Sequence, residues 1–315
     1  MGLGVMGQRH ARVLRALEAR FEIVGAFDPN ANAPTPAQLE RLASESEAVA
    51  RAEVVFVATP IESHGGIVSR ALAAGRHVFV EKPVCGTADE AREAAACARG
   101  GARLFVGHSE RFNPVVRTLA RLVRDEPVLS LDFRRVGATK PCASGVLVNL
   151  GVHDFDLAAY LGGGEVTLRG AVAASAAGPR EGAPGPDAAH VLFTTTGGAA
   201  GHLHVDRASP VRERAVELTT ARWVYRGDLL GHRLERTSRA NSARADVPLP
   251  LEEPLAAQAA SLADALDSGG PREIASGEDG VRALDLAEQA AATLAMPEGT
   301  DAAASPENLS IDARR

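Results

Sequence analysis

The chain has 315 residues, enough for two domains, and its apolar fraction of 45% supports ordinary buried cores. Its formal net charge of −6 argues against a nucleic-acid-binding or anionic-membrane surface. The sequence contains no run of about 18 apolar residues that would predict a membrane span, and no secretory leader is recognised. Three cysteines, Cys85, Cys97 and Cys142, lack metal-type spacing and indicate reduced thiols in a cytoplasmic protein.

The first motif is MGLGVMGQRH, in which Gly2, Gly4 and Gly7 have the G-x-G-x-x-G spacing of a dinucleotide-binding turn. Such a turn normally follows a buried strand and starts a helix, which is predicted here over residues 8–20. Only Met1 precedes the motif. We therefore expect the native protein to start upstream, with a Val- and Ile-rich run that supplies the first strand. The cytoplasmic assignment is conditional on that extension, because it could carry an export signal.

A strand is predicted over FEIVGAFD, which ends at Asp28, 21 residues after Gly7. At this spacing an acid can accept hydrogen bonds from a ribose diol, and it repels a 2′-phosphate. The spacing therefore favours NAD over NADP, with an ordinary turn aspartate as the alternative. The polar segment over residues 31–52 is predicted to be helical, with Thr35 and Pro36 as its start.

Strands and helices alternate up to residue 108. EVVFVATP, RHVFVEKPV and ARLFVGH are predicted as buried strands. A helix over residues 62–74 should stop at Gly75, and Thr87 with Glu90 forms a capping-box pattern for the next helix. This alternation predicts a parallel sheet with right-handed crossovers.

Polar side chains follow the predicted strands, at the sheet edge where ligands bind in such folds. The residues at those ends are Asp28, Thr59, Pro60, Glu81, Lys82, Pro83 and His108. Lys82 and Lys140 are the only lysines in an arginine-rich chain. Lys82 can donate a hydrogen bond to a hydroxyl or carbonyl oxygen, and partial burial beside a positive nicotinamide ring would lower its pKa. The alternative is a strand-end lysine in solvent.

A second polar cluster is predicted in GVLVNLGVHDFDL. If this stretch is helical, Asn149, His153 and Asp156 share one face. A histidine between two polar partners can act as a general acid or base near neutral pH. Alternatively, these residues only cap and solvate an ordinary helix. Asn113 and Pro114 are typical N-cap and first-turn residues of another helix.

From Pro127 onward, strand-like stretches follow one another without intervening helices, which predicts an antiparallel sheet. They are VLSLDFRRV, EVTLRGAVAA, HVLFTTT, GGAAGHLHVD, RAVELTT and ARWVYRG. Helices over LEEPLAAQAASLADALDSG and GEDGVRALDLAEQAAATLA then close the fold. We expect a first domain over residues 1–110, a second over 111–296, and a disordered tail over 297–315.

These stretches resemble the glucose–fructose oxidoreductase, inositol dehydrogenase and rhizopine-catabolism (Gfo/Idh/MocA) family from Gly2 to about Leu294. The resemblance is carried by GLGVMGQRHA, by the block from VVFVATP to VFVEKPV, by VGHSERFNP and by GVLVNLGVHDFDL. The block ending in EKP is the most specific of these. The VHDFD pattern is most similar to the branch that includes UDP-N-acetylglucosamine 3-dehydrogenases.

The resemblance implies an α/β Rossmann domain, its first strand apparently missing, and an α+β domain with a large, open, mostly antiparallel sheet. It also implies NAD-dependent oxidation or reduction of a secondary alcohol on a sugar, cyclitol or nucleotide sugar. A homodimer or homotetramer through the second sheet is expected, without nucleic-acid or membrane partners. Two alternatives stay open: an NAD-dependent redox glycosidase of the same family, and a non-catalytic nucleotide-binding sensor or scaffold.

The family gives the catalytic roles residue by residue. Lys82 polarises the reacting oxygen and precedes a cis bond to Pro83, while His153 takes or returns the proton. Asn149 stands where the family more often has Asp; because Asn cannot ionise, it keeps only a hydrogen-bonding role. Substrate contacts are expected from Lys82, Arg111, Asn149 and His153.

The residues expected to bind the cofactor are Gly2, Leu3, Gly4, Val5, Met6, Gly7, Asp28, Thr59, Pro60, His64, Glu81 and Lys82. No metal site is expected. His202 with His204, and His108 with Glu110, each lack a closed ligand set.

Overall fold

In a computed structural model, the structure describes residues 1–37, 39–139, 144–175, 185–268 and 273–294. Lys140, Cys142 and the predicted tail over 297–315 lie outside these ranges. The N-terminal part contains the following elements: α1 (Val5–Ala16), α2 (Glu45–Arg51), β1 (Val54–Val57), α3 (His64–Ala73), β2 (His77–Glu81), α4 (Ala88–Ala96) and β3 (Leu104–Gly107).

The three strands of this part form the predicted parallel sheet. β1 pairs with β2, and β2 with β3, both in parallel register. The buried side chains Val57, Val78, Val80 and Val106 are 0% exposed, as expected of strands covered on both faces. The α3 helix ends as predicted, because Gly75, which follows it, has a left-handed backbone conformation with φ 75°. Thr87 accepts a hydrogen bond from the Glu90 N–H at the start of α4.

The prediction of a strand over residues 21–28 is wrong. This segment is extended but forms only one isolated bridge, between Ala26 and Arg41. Gly2 N donates to Phe27 O at 2.9 Å, and Ala58 N donates to Met1 O at 2.9 Å, so Met1 and Gly2 connect this segment to the end of β1. Elsewhere a cavity of about 580 Å³ separates the segment from β1, so its backbone groups have no ladder to join. The expected upstream strand stays a prediction.

The helix predicted over residues 31–52 is limited to α2, and its predicted start at Thr35 and Pro36 is wrong. The α2 helix begins after Ser44, whose hydroxyl accepts a hydrogen bond from Glu47 N. The preceding chain forms turns instead, because Arg41 donates to the carbonyl groups of Asp28, Asn30 and Ala33. Tertiary hydrogen bonds therefore override the helical pattern in this segment.

The C-terminal part contains α5 (Pro114–Leu122), β4 (Val128–Val136), α6 (Val152–Gly162), β5 (Val166–Ala174), β6 (Ala188–Thr195), β7 (Ala200–Asp206), β8 (Glu213–Thr220), β9 (Trp223–Asp228), β10 (Arg233–Ser238), β11 (Arg244–Asp246), α7 (Pro254–Ser268), β12 (Ala275–Ser276) and α8 (Gly277–Ala292). Eight strands form one sheet in the order β11-β10-β9-β8-β4-β7-β6-β5. All neighbours are antiparallel except β4 and β7. The large, mostly antiparallel sheet is therefore confirmed.

Three short strands of this part were not predicted. β10 and β11 lie in polar sequence, LERTS and RAD, where apolar alternation is weak. β12 has two residues and pairs antiparallel with β3, so the sheet of the N-terminal part has the order β1-β2-β3-β12. α8 follows β12 directly and packs against α4 as well as α6. The segment over residues 275–292 thus returns to the first sheet.

One face of the eight-stranded sheet is covered by α6 and buries Leu131, Phe133, Val191, Leu203 and Val216. Among the described residues, no helix combines the length and apolarity that a bilayer crossing requires.

Candidate active site

The glycine motif forms a tight loop at the start of α1. Gly2 has φ 82°, and a Cβ there would lie 2.4 Å from Ala58 O. A Cβ on Gly7 would lie 1.9 Å from Gly2 O, so the helix and the loop touch through backbone atoms. At Gly4, by contrast, a Cβ would meet nothing within 4 Å. The loop is therefore packed against the protein on one side and open at Gly4.

The N-terminus of α1 suits an anionic group. Its first turn contains no acidic residue, and Val5 is 71% exposed. Free N–H groups and the helix dipole at such an end attract phosphate. The residues therefore fit a dinucleotide whose pyrophosphate lies beside Gly4.

Asp28 adjoins the same loop. Its Oδ2 accepts a hydrogen bond from Leu3 N at 2.7 Å, and its Oδ1 accepts one from Asn30 N at 2.8 Å. The two bonds hold the carboxylate next to the glycine motif, at the place expected for a ribose contact.

A cleft of about 300 Å³ lies at the carboxyl ends of the parallel strands, beside this loop. Its lining residues are Met6, Ala58, Thr59, Ile61, His64, Glu81, Lys82, Gly107, Ser109 and His153. Residues from all three strand ends therefore converge, and α6 of the C-terminal part contributes His153.

Lys82 lies at the centre of this cleft. It follows β2, precedes a cis peptide bond to Pro83, and is partly buried. Its Nζ donates a hydrogen bond to the backbone oxygen of Asn149 at 3.1 Å. This bond joins the two halves of the molecule and holds the ammonium group where a substrate oxygen can reach it.

His64 and Glu81 each have a protein partner. His64 is 2% exposed, and its ring nitrogens lie 3.0 Å from Pro83 O and 2.9 Å from Thr59 O. It therefore joins the loops that follow β1 and β2. Glu81 Oε1 lies 2.6 Å from His10 Nε2, a buried contact that the sequence interpretation missed. The spacing of His10 on α1 gave no signal for it.

The predicted shared face of Asn149, His153 and Asp156 is present only in part, because His153 and Asp156 lie three residues apart on α6, both beside His108, and Asn149 lies outside that helix. Asn149 lies in a π-helical turn over Leu147–Gly151, and α6 starts only at Val152. The wider turn rotates Asn149 relative to His153, and no hydrogen bond joins the two side chains within the described residues. Asp156 instead binds Arg111.

The pKa of His153 lies well below its ordinary value of 6.5 because the ring is buried and because Lys82 and Arg135 repel its charged form. The predicted acid–base group is thus neutral at pH 7, ready to accept a proton. Its Nδ1 is buried without a hydrogen-bond partner.

The prediction that Arg111 contacts the substrate is not supported by the geometry. Its side chain is buried, and Nε and Nη2 donate to the carboxylate of Asp156 at 2.9 and 2.6 Å. Its guanidinium carbon also lies 4.9 Å from the centre of the Tyr160 ring. These contacts occupy Arg111 outside the cleft.

A second buried ion pair was missed in the sequence. Arg135 of β4 donates to both oxygens of Asp154 at 2.7 to 3.1 Å, and both side chains are almost fully buried. Glu110 accepts from Arg214 at 2.8 Å and lies 3.4 Å from Arg135. The alternation of buried and exposed side chains along β4 would predict that Arg135 points into the core. The sequence does not indicate its partner, because Asp154 is not adjacent to it.

The histidines considered for metal binding do not form a site. His190, His202 and His204 lie together on the open face of the second sheet, with His190 Nδ1 3.0 Å from His202 Nε2. Within the described part of the chain, no group of three or more His, Cys, Asp or Glu residues is arranged to hold a metal ion.

Family models match most of the described chain. Residues 1–108 match the model of the oxidoreductase family with an NAD-binding Rossmann fold, and residues 120–225 match the GFO/IDH/MocA C-terminal domain.

Individual relatives agree with the family models. The chain is 29% identical to the rhizopine catabolism protein MocA of Rhizobium meliloti over 92% of each chain. It is 30% identical to the UDP-N-acetylglucosamine 3-dehydrogenase of Acidithiobacillus ferrooxidans, over 68% of this chain and 67% of that protein. Two relatives from Bacillus subtilis align over only 37% and 54% of their own lengths.

The crystal structure of the Acidithiobacillus ferrooxidans enzyme shares the fold, with a TM-score of 0.82, 24% identity, and coverage of 93% of this chain and 95% of that one. The chain belongs to the Gfo/Idh/MocA family of NAD-binding oxidoreductases.

Proposed function

We propose that the protein is an NAD-dependent dehydrogenase of a secondary alcohol on a sugar, cyclitol or nucleotide sugar. The observation that carries this proposal is the shared cleft, in which Lys82 and His153 approach from different halves of the molecule beside the glycine loop. Several relatives are dehydrogenases of such molecules, among them scyllo-inositol, UDP-N-acetylglucosamine and D-apiose.

The chemistry follows from the charges of the two side chains. NAD, held by the glycine loop, would supply the acceptor for the hydride of the alcohol carbon. Lys82 donates a hydrogen bond to the alcohol oxygen and stabilises the negative charge that develops there. His153, neutral because of its lowered pKa, accepts the hydroxyl proton, and the oxygen keeps its electron pair to form the carbonyl. Reduction follows the reverse path.

The cofactor would be held by the residues of the glycine loop and its neighbours. Backbone N–H groups of Gly4 and Val5 would contact the pyrophosphate, while Leu3 N holds Asp28, which would accept hydrogen bonds from the ribose diol. Thr59 and Pro60 follow β1 at the edge of the cleft, where the nicotinamide half would lie. Asn149, whose carbonyl positions Lys82, would act on the substrate through that lysine.

Substitution of Lys82 tests the catalytic assignment. Lys82→Met should lower kcat by roughly a hundredfold or more, the scale of one positioned proton-handling group, while NADH still binds. Lys82→Arg keeps a charged donor and should lose less. Turnover is measured by NADH absorbance with a panel of sugars, cyclitols and nucleotide sugars. Wild-type turnover in the Met variant would remove Lys82 from the mechanism.

The lowered pKa of His153 predicts the pH profile. The base works in its neutral form, which is lost only as pH falls through a pKa below 6.5. The rate of alcohol oxidation should therefore be nearly independent of pH from 8 down to about 6.5, the ordinary pKa of an imidazole, and should decline below that pH. His153→Gln should abolish that decline and lower kcat, whereas His232→Asn, at an exposed turn, should change neither. A wild-type decline centred above pH 6.5 would contradict the assignment.

The carboxylate of Asp28 predicts cofactor choice. NADH should bind more tightly than NADPH because the 2′-phosphate would meet a negative charge that Leu3 N and Asn30 N hold in place. Asp28→Ala should reduce the preference, whereas Asp89→Ala, at an exposed carboxylate on α4, should leave it unchanged. Fluorescence titration measures both affinities. Equal affinities of the wild type for the two cofactors would exclude this role.

We also propose that copies of the chain associate through the open face of the eight-stranded sheet. That face exposes Val172 and Leu192, at 57% and 55%, next to His190 and His202 on paired strands. Leu192→Arg should produce monomers in sedimentation velocity. Leu251→Arg, at an exposed residue outside the sheet, should sediment as the wild type does. A wild-type monomer would rule the association out.

A further inference from the structure

His108 is a buried imidazole without a hydrogen-bond partner. It follows β3, is 1% exposed, and neither ring nitrogen has a partner within the described residues. Buried side-chain nitrogens are nearly always paired in folded proteins, so this exception needs a reason. The mechanism proposed above does not use His108.

The ring lies between the proposed base and a carboxylate. His108 and His153 meet edge to face, with ring centres 6.4 Å apart. On its other side, His108 Nδ1 is 3.8 Å from Asp156 Oδ2, a gap that a small rotation of the ring closes. Arg111 holds that carboxylate with two hydrogen bonds.

A proton accepted by His153 needs a group that carries it away while a substrate fills the cleft. Asn149 has no ionisable group, and the buried Nδ1 of His153 has no hydrogen-bond partner. A proton that His153 accepts at Nε2 from the substrate can leave from Nδ1. His108 is the titratable ring that stands in contact with His153.

The charges around the two rings favour transfer in this direction. Burial lowers the pKa of both rings, and the groups whose charge acts on His153, namely Lys82, Arg135, Arg214 and a protonated His108, lower the pKa of His153 further.

His108 is different, since the carboxylates of Asp156 and Asp279 act on it together with the cations Arg111 and Lys82. An imidazolium is therefore better compensated at position 108 than at position 153.

We propose that His108 is a positioning residue that acts through His153, receiving from it the proton released by alcohol oxidation while Asp156 stabilises the resulting imidazolium. This inference rests on the proposed function. The substrate O–H bond breaks, its electron pair forms the carbonyl, and the proton moves to His153 Nε2. The Nδ1 proton of His153 passes to His108, so one proton enters and one leaves His153.

Asp156 also lines a cavity of about 370 Å³. Arg111 and Asp279 line it as well, together with Arg282 and Asp285. The last two side chains are 47% and 32% exposed, so the cavity reaches the surface. The carboxylate that lies 3.8 Å from His108 Nδ1 is therefore on the wall of a cavity open to solvent.

A titration followed by NMR tests the charge argument without any substrate. In protein labelled with ¹⁵N-histidine and saturated with NAD⁺, His108 should titrate at a higher pH than His153. Asp156→Asn should lower the midpoint of His108 because the imidazolium loses its carboxylate. A midpoint of His153 at or above that of His108 in the wild type would overturn the proposal, and that comparison does not depend on whether Asp156→Asn folds.

Kinetics test the carrier role. His108→Gln, which can hydrogen-bond but not titrate, should lower kcat about tenfold or more with KM and NADH affinity unchanged. Added imidazole should restore kcat in His108→Ala, and His232→Asn should match the wild type. Unchanged kcat in His108→Gln, or no recovery with imidazole, would refute the role. If the wild type oxidises none of the panel, the proposed function fails instead, and the NMR order of the midpoints is still measured.

Discussion

Two buried ion pairs hold helix α6, and the position of His153 depends on them. Arg135 of the second sheet binds Asp154, and Arg111 of the segment after β3 binds Asp156. The two aspartates flank His153 in sequence. Breaking either pair would leave a buried charge without compensation, at a cost of about 3–5 kcal/mol. Because Arg135 lies in the second sheet and Arg111 in the segment that follows β3, the two ion pairs tie α6 to both.

The same arrangement sets the electrostatics of the cleft. Each aspartate of α6 is paired with an arginine, and the charged groups that act on the His153 ring are cations instead. Lys82 and Arg135 then act on a ring that is already desolvated, and together they keep it neutral. A base with a low pKa is a weak proton acceptor, but it is available in the correct form over a broad pH range. The hydrogen bond from Lys82 to Asn149 O keeps the cation close without neutralising it.

Residues at strand ends were predictable from the sequence, and residues held by distant partners were not. Glu81, Lys82 and Thr59 could be placed together because the carboxyl ends of parallel strands meet at one edge. The sheet class followed from strands that succeed one another without helices. The ion pair between Arg111 and Asp156 could not be predicted, because the two residues are 45 positions apart and nothing in the local sequence indicates that they pair. The helix predicted over residues 31–44 is absent for a related reason, since this segment forms turns that depend on hydrogen bonds from Arg41 to backbone carbonyl groups.

The predicted boundary at residue 110 stays a prediction, and the two sheets do not divide the chain at a single position. β12 adds to the edge of β3, and α8 packs against α4 as well as α6. Residues 275–292 therefore return to the first sheet, while the helix that presents His153 packs on the second. Lys82 and His153 line one cleft, and the hydrogen bond from Lys82 Nζ to Asn149 O joins the two parts of the molecule beside it. In the proposed mechanism, the group that polarises the oxygen and the group that accepts the proton are thus held by the fold before any ligand binds, which is the preorganisation that electrostatic catalysis requires.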